Sequence, residues 1–352
     1  REQAPATREQ APATREQAAA EQTAGDLTLP AFTDVRVDAV TTDVSFRYGS
    51  GYALHYELPE GELLEQAEVQ DGTLLFRTES EPDSSLPHHG QLVITLPEDT
   101  ELGEIRVDTS FGGLTFDGRA DSLVYDTSSG DAKIGGVLAG SAEVYTSFGS
   151  LTFDGRANSL KYDTSSGDAK IGGVLAGSAE VYTSFGSLTF DGRANSLKYD
   201  TSSGDAKIGG VLAGGAEVYT SFGGLTFDGQ ANSLVYDTSS GDAEIGGVLA
   251  DSLEVDTSFG SLRFTGQAAS LNFESSKGGA QVTGKITDTL QMNTTTGPLT
   301  AALPDPALHA ETGGKLTVDG VEQAGRFSRQ GSGCSARITS SRGDITITTR
   351  TQ

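Results

Sequence analysis

The sequence predicts an all-β protein: a single parallel β-solenoid with about 18–19 residues per coil and irregular β caps at both ends. Three observations carry that prediction. A phrase recurs eleven times between Val107 and Gly297: apolar residue, any residue, Thr, Ser, any residue, Gly. Its threonines fall at Thr109, Thr127, Thr146, Thr164, Thr183, Thr201, Thr220, Thr238 and Thr257; Ser275 then stands in, and Thr294 closes the series. The steps alternate between 18 and 19, so the true unit is a 37-residue pair, and residues 145–181 and 182–218 differ only at Ser178 against Gly215. Finally, 46 glycines and a hydrophobic share of 36% suit short strands and many turns, not long helices. A fixed period of this size means stacked units, each burying its face against the next.

Four sections follow in order. Residues 1–25 read REQAPAT, REQAPAT, REQAAAEQTAG, with Pro5 and Pro12 as helix breakers. They lack the apolar surface to offset ordering entropy and are expected to be a disordered, semi-extended linker, with a short helix near Glu16–Gln22 as an option. Residues 26–104 hold strand-like alternation at 43–48, 52–58, 73–76 and 91–96. They are expected to form an N-terminal β cap with the first coils, covering open strand edges. Residues 105–300 are the repeated solenoid. Residues 301–352 lose the period and regain it at Ile338 to Ile345, as an opposite cap.

Within one double coil, alternation places Val144, Thr146 and Phe148 on one face and Tyr145 and Ser147 on the other. After the bend at Gly149, Leu151 and Phe153 point inward around Thr152, and Asp154-Gly155 turns the chain. The second coil repeats this with Tyr162, Thr164, Ala169 and Ile171, and its next turn is one residue longer. Volumes match: the column Val144, Tyr162, Val181, Tyr199 runs against Leu151, Ala169, Leu188, Ala206, large beside small. Outward, Glu143, Lys161, Glu180, Lys198 and Glu217 alternate in sign, which predicts weak cross-strand ion pairs. A second outward row, Tyr145, Asp163, Tyr182, Asp200, Tyr219 and Asp237, is the candidate binding face.

The net charge of −25 argues against nucleic acid and against adsorption to an anionic membrane. No apolar run of about 18 residues exists, so no membrane insertion is expected of this segment. The single cysteine, Cys334, has no internal partner and reads as a small buried residue. The chain opens on Arg1, which suggests a signal or anchor ahead of it and an extracellular or envelope-attached location.

Several motifs invite chemistry, and each has a plainer account. Arg342-Gly343-Asp344 spells a cell-attachment tripeptide but also matches the repeat phrase at Ser129-Gly130-Asp131. Asp131, Asp168, Asp205 and Asp242 recur only every second coil, about 9–10 Å apart by strand spacing, too far to share a calcium ion. The repeat threonines share parity with Val144 and should face inward, which removes an ice-binding threonine face. The histidines His55, His88, His89 and His309 sit only in the flanks, and His88-His89 reads as a solvated loop. No nucleophile elbow, phosphate loop, zinc spacing or local carboxylate cluster is present, so no catalysis, no cofactor and no metal site are expected.

Leu74-Leu75-Phe76 ahead of Val93-Ile94-Thr95-Leu96-Pro97, the Thr-Ser-x-Gly coils, Ala302-Leu303-Pro304 with Glu311-Thr312-Gly313-Gly314, and Gly331-Ser332-Gly333 before Ile338–Ile347 occur in that order. Together they resemble the bacterial putative-adhesin family of β-strand-repeat domains, from about residue 30 to the C-terminus. The resemblance implies this fold and an exported or envelope-attached protein; activity in that family is largely unassigned. Two readings follow. One is a non-catalytic, adhesin-like surface rod whose acidic repeated face meets a cell-wall polymer, glycan or surface protein. The alternative is a sensory ectodomain of an envelope-stress system, with its specific site in the caps.

Overall fold

The structure, a computed structural model, describes residues 23–81 and 89–349; most of the expected linker and His88 lie outside them. Its regular elements are strands, and the chain winds as a parallel β-solenoid. The last residues assigned to the linker, Ala24 and Gly25, already belong to the strand Ala24–Thr28.

One double coil shows how the sequence makes the fold. It runs Ser141–Thr146, Leu151–Phe153, Arg156–Ala157, then Ser159–Thr164, Ala169–Ile171, Val174–Leu175. The six-residue and two-residue strands stack into one broad, bent sheet, and the three-residue strands into a narrow sheet opposite. Every pairing is parallel and in register: Val144 lies beside Tyr162, Leu151 beside Ala169, Arg156 beside Val174. The inward residues of both sheets are buried along the whole stack and form one continuous core. The volume-matched columns are therefore adjacent rungs of that core, and the threonines at Thr164 and Thr201 are buried with them.

A buried tyrosine carries a hydroxyl that needs a partner. Tyr162 donates to the carbonyl of Gly149 in the coil before it, and Tyr125, Tyr199 and Tyr236 do the same to Gly112, Gly186 and Gly223. Those glycines are required by close approach. A Cβ on Gly149 would sit inside the contact radius of the Gly130 carbonyl, and one on Gly167 would strike both the Gly149 carbonyl and the Tyr162 hydroxyl. The glycine corners thus touch from coil to coil, with the tyrosine hydroxyl locking every second one.

One expected orientation is wrong. Phe148 does not follow Val144 and Thr146 inward; it is 69% exposed. The strand ends at Thr146, and the amides of Ser147 and Phe148 both donate to the Ser128 carbonyl, at 3.2 and 3.1 Å. Ser128 and Ser129 do the same on the Ser110 carbonyl, so this is a bend that stacked coils share, and the two-residue alternation stops where the strand does, at Thr146. Phe185 and Phe222 share this arrangement on Ser165 and Ser202.

At both ends, stacking order departs from chain order. The strand Asp34–Ala39 lies between Thr73–Ser80 and Glu101–Thr109, parallel to both. At the other end Ser335–Ser340 lies between Lys285–Thr294 and Ala307–Thr312. The segment that regains the repeat period is therefore the coil stacked directly on the repeats, and residues 307–329 lie beyond it. Antiparallel hairpins finish each end: Glu62–Gln70 on Thr73–Ser80, and Val321–Gln323 on Leu316–Val318. Both turn on an Asp-Gly pair, Asp71-Gly72 and Asp319-Gly320, with positive φ at both residues. The outermost strand Glu62–Gln70 combines a bulge with charged side chains, which discourages another chain from pairing there.

The N-terminal end has a polar clasp that periodicity did not reveal. Glu62 is fully buried, and its carboxylate accepts from the amides of Val40 and Thr41 and from the hydroxyls of Thr41, Thr42 and Thr78. All five partners are donors, so a carboxylate fits where an amide side chain would not. Cys334 is buried, as a lone cysteine was expected to be, and burial pushes its thiol up.

Two outcomes follow. Gly167→Ala forces a Cβ against backbone that cannot yield, and should cost about 3 kcal/mol in denaturant melts. In a stack coupled only to nearest neighbours, the damage should split the transition and not merely shift it. The second concerns alkali. Burial pushes the Tyr125 and Tyr236 hydroxyls from 10.0 up to about 12, and raises Tyr162 and Tyr199 too. The folded chain holds these protons more tightly than the unfolded one. That stabilisation is complete below about pH 10 and is lost as pH rises through about 12. Tyrosinate absorbance and far-ultraviolet dichroism should change together in that window; buried tyrosines ionising near pH 10 with the strands intact would contradict the packing.

Candidate binding faces

The row chosen from the sequence is real as geometry. Tyr145, Asp163, Tyr182, Asp200, Tyr219 and Asp237 are consecutive partners across the broad sheet. The tyrosines are only half exposed, and their polar tips are occupied by glutamates two residues back on the same strand, in the neighbouring row. Tyr145 donates to the Glu143 carboxylate at 2.8 Å, and Tyr182 and Tyr219 donate to Glu180 and Glu217 at 3.2 and 3.3 Å. Burial first, then the bond to Glu143, raises the Tyr145 hydroxyl pKa above its ordinary value.

The expected Glu143–Lys161 ion pair does not close. The two residues are in register, but the Lys161 ammonium lies 5.1 Å from the centre of the Tyr145 ring, and Lys198 lies 5.5 Å from that of Tyr182. Tyr219 has no such lysine, because Val235 occupies the place beside Glu217. A cation over an aromatic face keeps more of its hydration than one clamped by a carboxylate, which favours this arrangement on an open surface.

The aspartates at the corners have a structural task. Asp131, Asp168, Asp205 and Asp242 accept the amides of Ser150, Ser187, Gly224 and Ser261 in the following coil, at 2.8–2.9 Å. Asp344 of the Arg-Gly-Asp tripeptide does the same for Lys315, at 2.8 Å, so that tripeptide is a coil corner. Among the described residues no group of three or more His, Cys, Asp or Glu is placed to hold a metal ion.

Periodicity missed the most exposed row of large apolar side chains. Phe111, Phe148, Phe185, Phe222 and Phe259 stand out every 37 residues, with 68–70% exposure at the three central positions. The intervening coils carry Ser129, Ser166, Ser203 and Ser240 there, and the Lys277 ammonium lies 4.8 Å from the centre of the Phe259 ring. At the N-terminal end Phe111 and Phe148 border a recess of about 610 Å³ with Ser129, Asp131, Lys133 and Thr115. Further along, the narrow sheet lines an open groove of about 870 Å³ with Thr189, Asp205, Lys207, Thr226 and Arg263 among its walls. Exposed valines form a lesser row in which Val174 and Val211 alternate with Arg156 and Arg193.

Residues 32–226, more than half of the chain, match the Toastrack DUF4097 family. The chain belongs to that family. Among solved structures, this Toastrack chain is similar to a "putative adhesin" from Bacteroides fragilis NCTC 9343, at 12% identity over 93% of this chain and 96% of that one, with a TM-score of 0.24. A "putative cell adhesion protein" from Clostridium sporogenes ATCC 15579 matches at 13% identity, over 93% and 100%, with a TM-score of 0.18. A "putative adhesin" from Parabacteroides distasonis ATCC 8503 matches at 14% identity, over 93% and 97%, with a TM-score of 0.22. Superpositions this loose carry nothing about activity. Comparison with curated proteins gives no match.

The corner aspartates give a direct test. Asp168→Ala removes the acceptor for the Ser187 amide at an exposed site and should cost about 1 kcal/mol in a denaturant melt. Millimolar calcium should leave the melting of the unaltered chain unchanged, whereas a calcium-dependent rise lost in Asp168→Ala would make this column a ligand set.

Proposed function

We propose that the chain is a non-catalytic, adhesin-like surface rod that holds a repeating partner through many weak contacts along its length. The observation that carries this is the register of its outward rows. The same side chains return at every second coil on a rigid stack, so a partner that also repeats can meet several at once. Residues 105–300 present these rows, residues 26–104 and 301–352 close the stack, and residues 1–25 tether it at the cell envelope or outside the cell. The partner is a cell-wall polymer, a glycan or a repetitive surface protein. A chain of net charge −25 is unsuited to nucleic acid, and among the described residues no helix is long and apolar enough to cross a membrane.

Deleting residues 182–218 removes one double coil and rejoins the stack in register. On isolated cell-wall polymers and whole cells the intact chain should bind saturably, and the shortened chain more weakly. Equal binding by both would remove the repeated face from the contact. Loss of binding only on changes within residues 301–352 would favour the sensory ectodomain, with its site in the cap.

A further inference from the structure

The phenylalanine row, and not the tyrosine–aspartate row, has the form of a polysaccharide track. We infer that Phe148, Phe185 and Phe222, with their outer neighbours Phe111 and Phe259, stack on the sugar rings of an extended, uncharged β-1,4-linked glycan lying along the rod axis. This rests on the multivalent-binding reading above and names the ligand class and the face.

Spacing is the first argument. The rings recur every second coil, which at parallel strand spacing is about 9.6 Å. That is close to the length of a disaccharide in an extended β-1,4-linked chain, whose successive sugars alternate in facing, so every second ring offers the same face. A track keyed to every second coil fits a polymer keyed to every second sugar.

Chemistry is the second. The apolar contacts are islands. Between consecutive phenylalanines stand Ser166 and Ser203, and beside them run Ser150, Thr152, Asp168 and Lys170, all outward on the narrow sheet or its corner. A protein core or an acyl chain needs contiguous apolar surface. A sugar ring instead presents a C–H face bordered by hydroxyls, and so matches a ring flanked by hydroxyl, carboxylate and ammonium groups. Around Phe148 and Phe185 the phenylalanine coils contribute only neutral Ser150, Thr152, Ser187 and Thr189, and the alternate coils pair Asp168 with Lys170 and Asp205 with Lys207; nearer Phe259 the pair is Asp242 with Glu244, and Glu244 faces Arg263 at 3.7 Å. Along the central stretch, Phe148 to Phe222, each aspartate beside the row is matched by a lysine in spite of the acidic whole, which suits an uncharged polymer.

Rigidity is the third. The corner after each central phenylalanine is fixed twice: the Tyr162 hydroxyl holds the Gly149 carbonyl, and the Asp131 carboxylate holds the Ser150 amide at 2.9 Å. The backbone that carries the ring is thereby ordered before a ligand arrives, which lowers the ordering entropy lost on stacking.

The test replaces Phe148, Phe185 and Phe222 together by serine, the residue the alternate coils already carry at this place, so the fold is expected to persist; dichroism checks that it does. A second variant replaces Tyr145, Tyr182 and Tyr219 by serine. Both are compared with the unaltered chain on cellulose, on chitin and on whole cell-wall polymers, with cellohexaose and chitohexaose as soluble probes. The expected result is saturable binding to cellulose or chitin that falls at least tenfold in the phenylalanine variant and is retained in the tyrosine variant. Binding untouched by the phenylalanine variant overturns the assignment of this face but leaves the multivalent rod standing. Binding only to charged wall polymers overturns the ligand class alone. Failure to bind any polymer removes both. A concentration-dependent dimer in sedimentation that the phenylalanine variant abolishes would overturn the inference by making the row a contact between copies of the chain.

Discussion

The glycine corners set the terms for everything else in this molecule. Coils at parallel strand spacing bring the backbone of Gly149 against the carbonyl of Gly130 and that of Gly167 against Gly149, leaving no room for a side chain. That contact fixes where each coil turns, and so where the broad sheet ends and the narrow one begins. It also turns one carbonyl per double coil inward, where a buried tyrosine supplies the missing donor. Tyrosine then needs room, which alanine in the facing column provides. The 37-residue period is this alternation: one coil is Val with Leu, the next Tyr with Ala.

Much of this was legible in the sequence because packing repeats. The inward columns, the burial of the threonines and the parallel stacking all follow from period and alternation. Phe148 was misread because counting by twos assumes a strand that runs on past Thr146, and the chain bends there. A signal was nevertheless there. Phe alternates with Ser at that place with no column compensating the change in volume, as Leu and Ala compensate Val and Tyr. A close-packed interior would not accept such a swap, so the position belongs outside. The tyrosine hydroxyls were missed for a related reason, since size matching treats tyrosine as bulk and ignores its polar tip.

The ends were harder to read. Their strand segments are visible, but the insertion of residues 34–49 between 73–97 and 101–116, and of 335–348 between 285–302 and 307–318, rests on long-range pairing that local patterns do not encode. The Glu62 clasp is of the same kind: an isolated glutamate in a charged strand reads as solvated, until Val40, Thr41, Thr42 and Thr78 are brought around it. Both ends place the period-bearing coil inside and an antiparallel hairpin outside. An open parallel edge would otherwise recruit another chain, and a lengthening stack would have no defined stop.

The phenylalanines stand in one rigid row at two-coil spacing, and this can be measured without any ligand. With the buried Cys334 replaced by alanine, spin labels are placed by cysteine at 148 and 222 in one chain and at 148 and 259 in another. Pulsed dipolar spectroscopy should give narrow distributions separated by about 9.6 Å, one double coil at strand spacing. Broad distributions, or a separation that does not follow the number of coils, would contradict the row and the stacking that produces it.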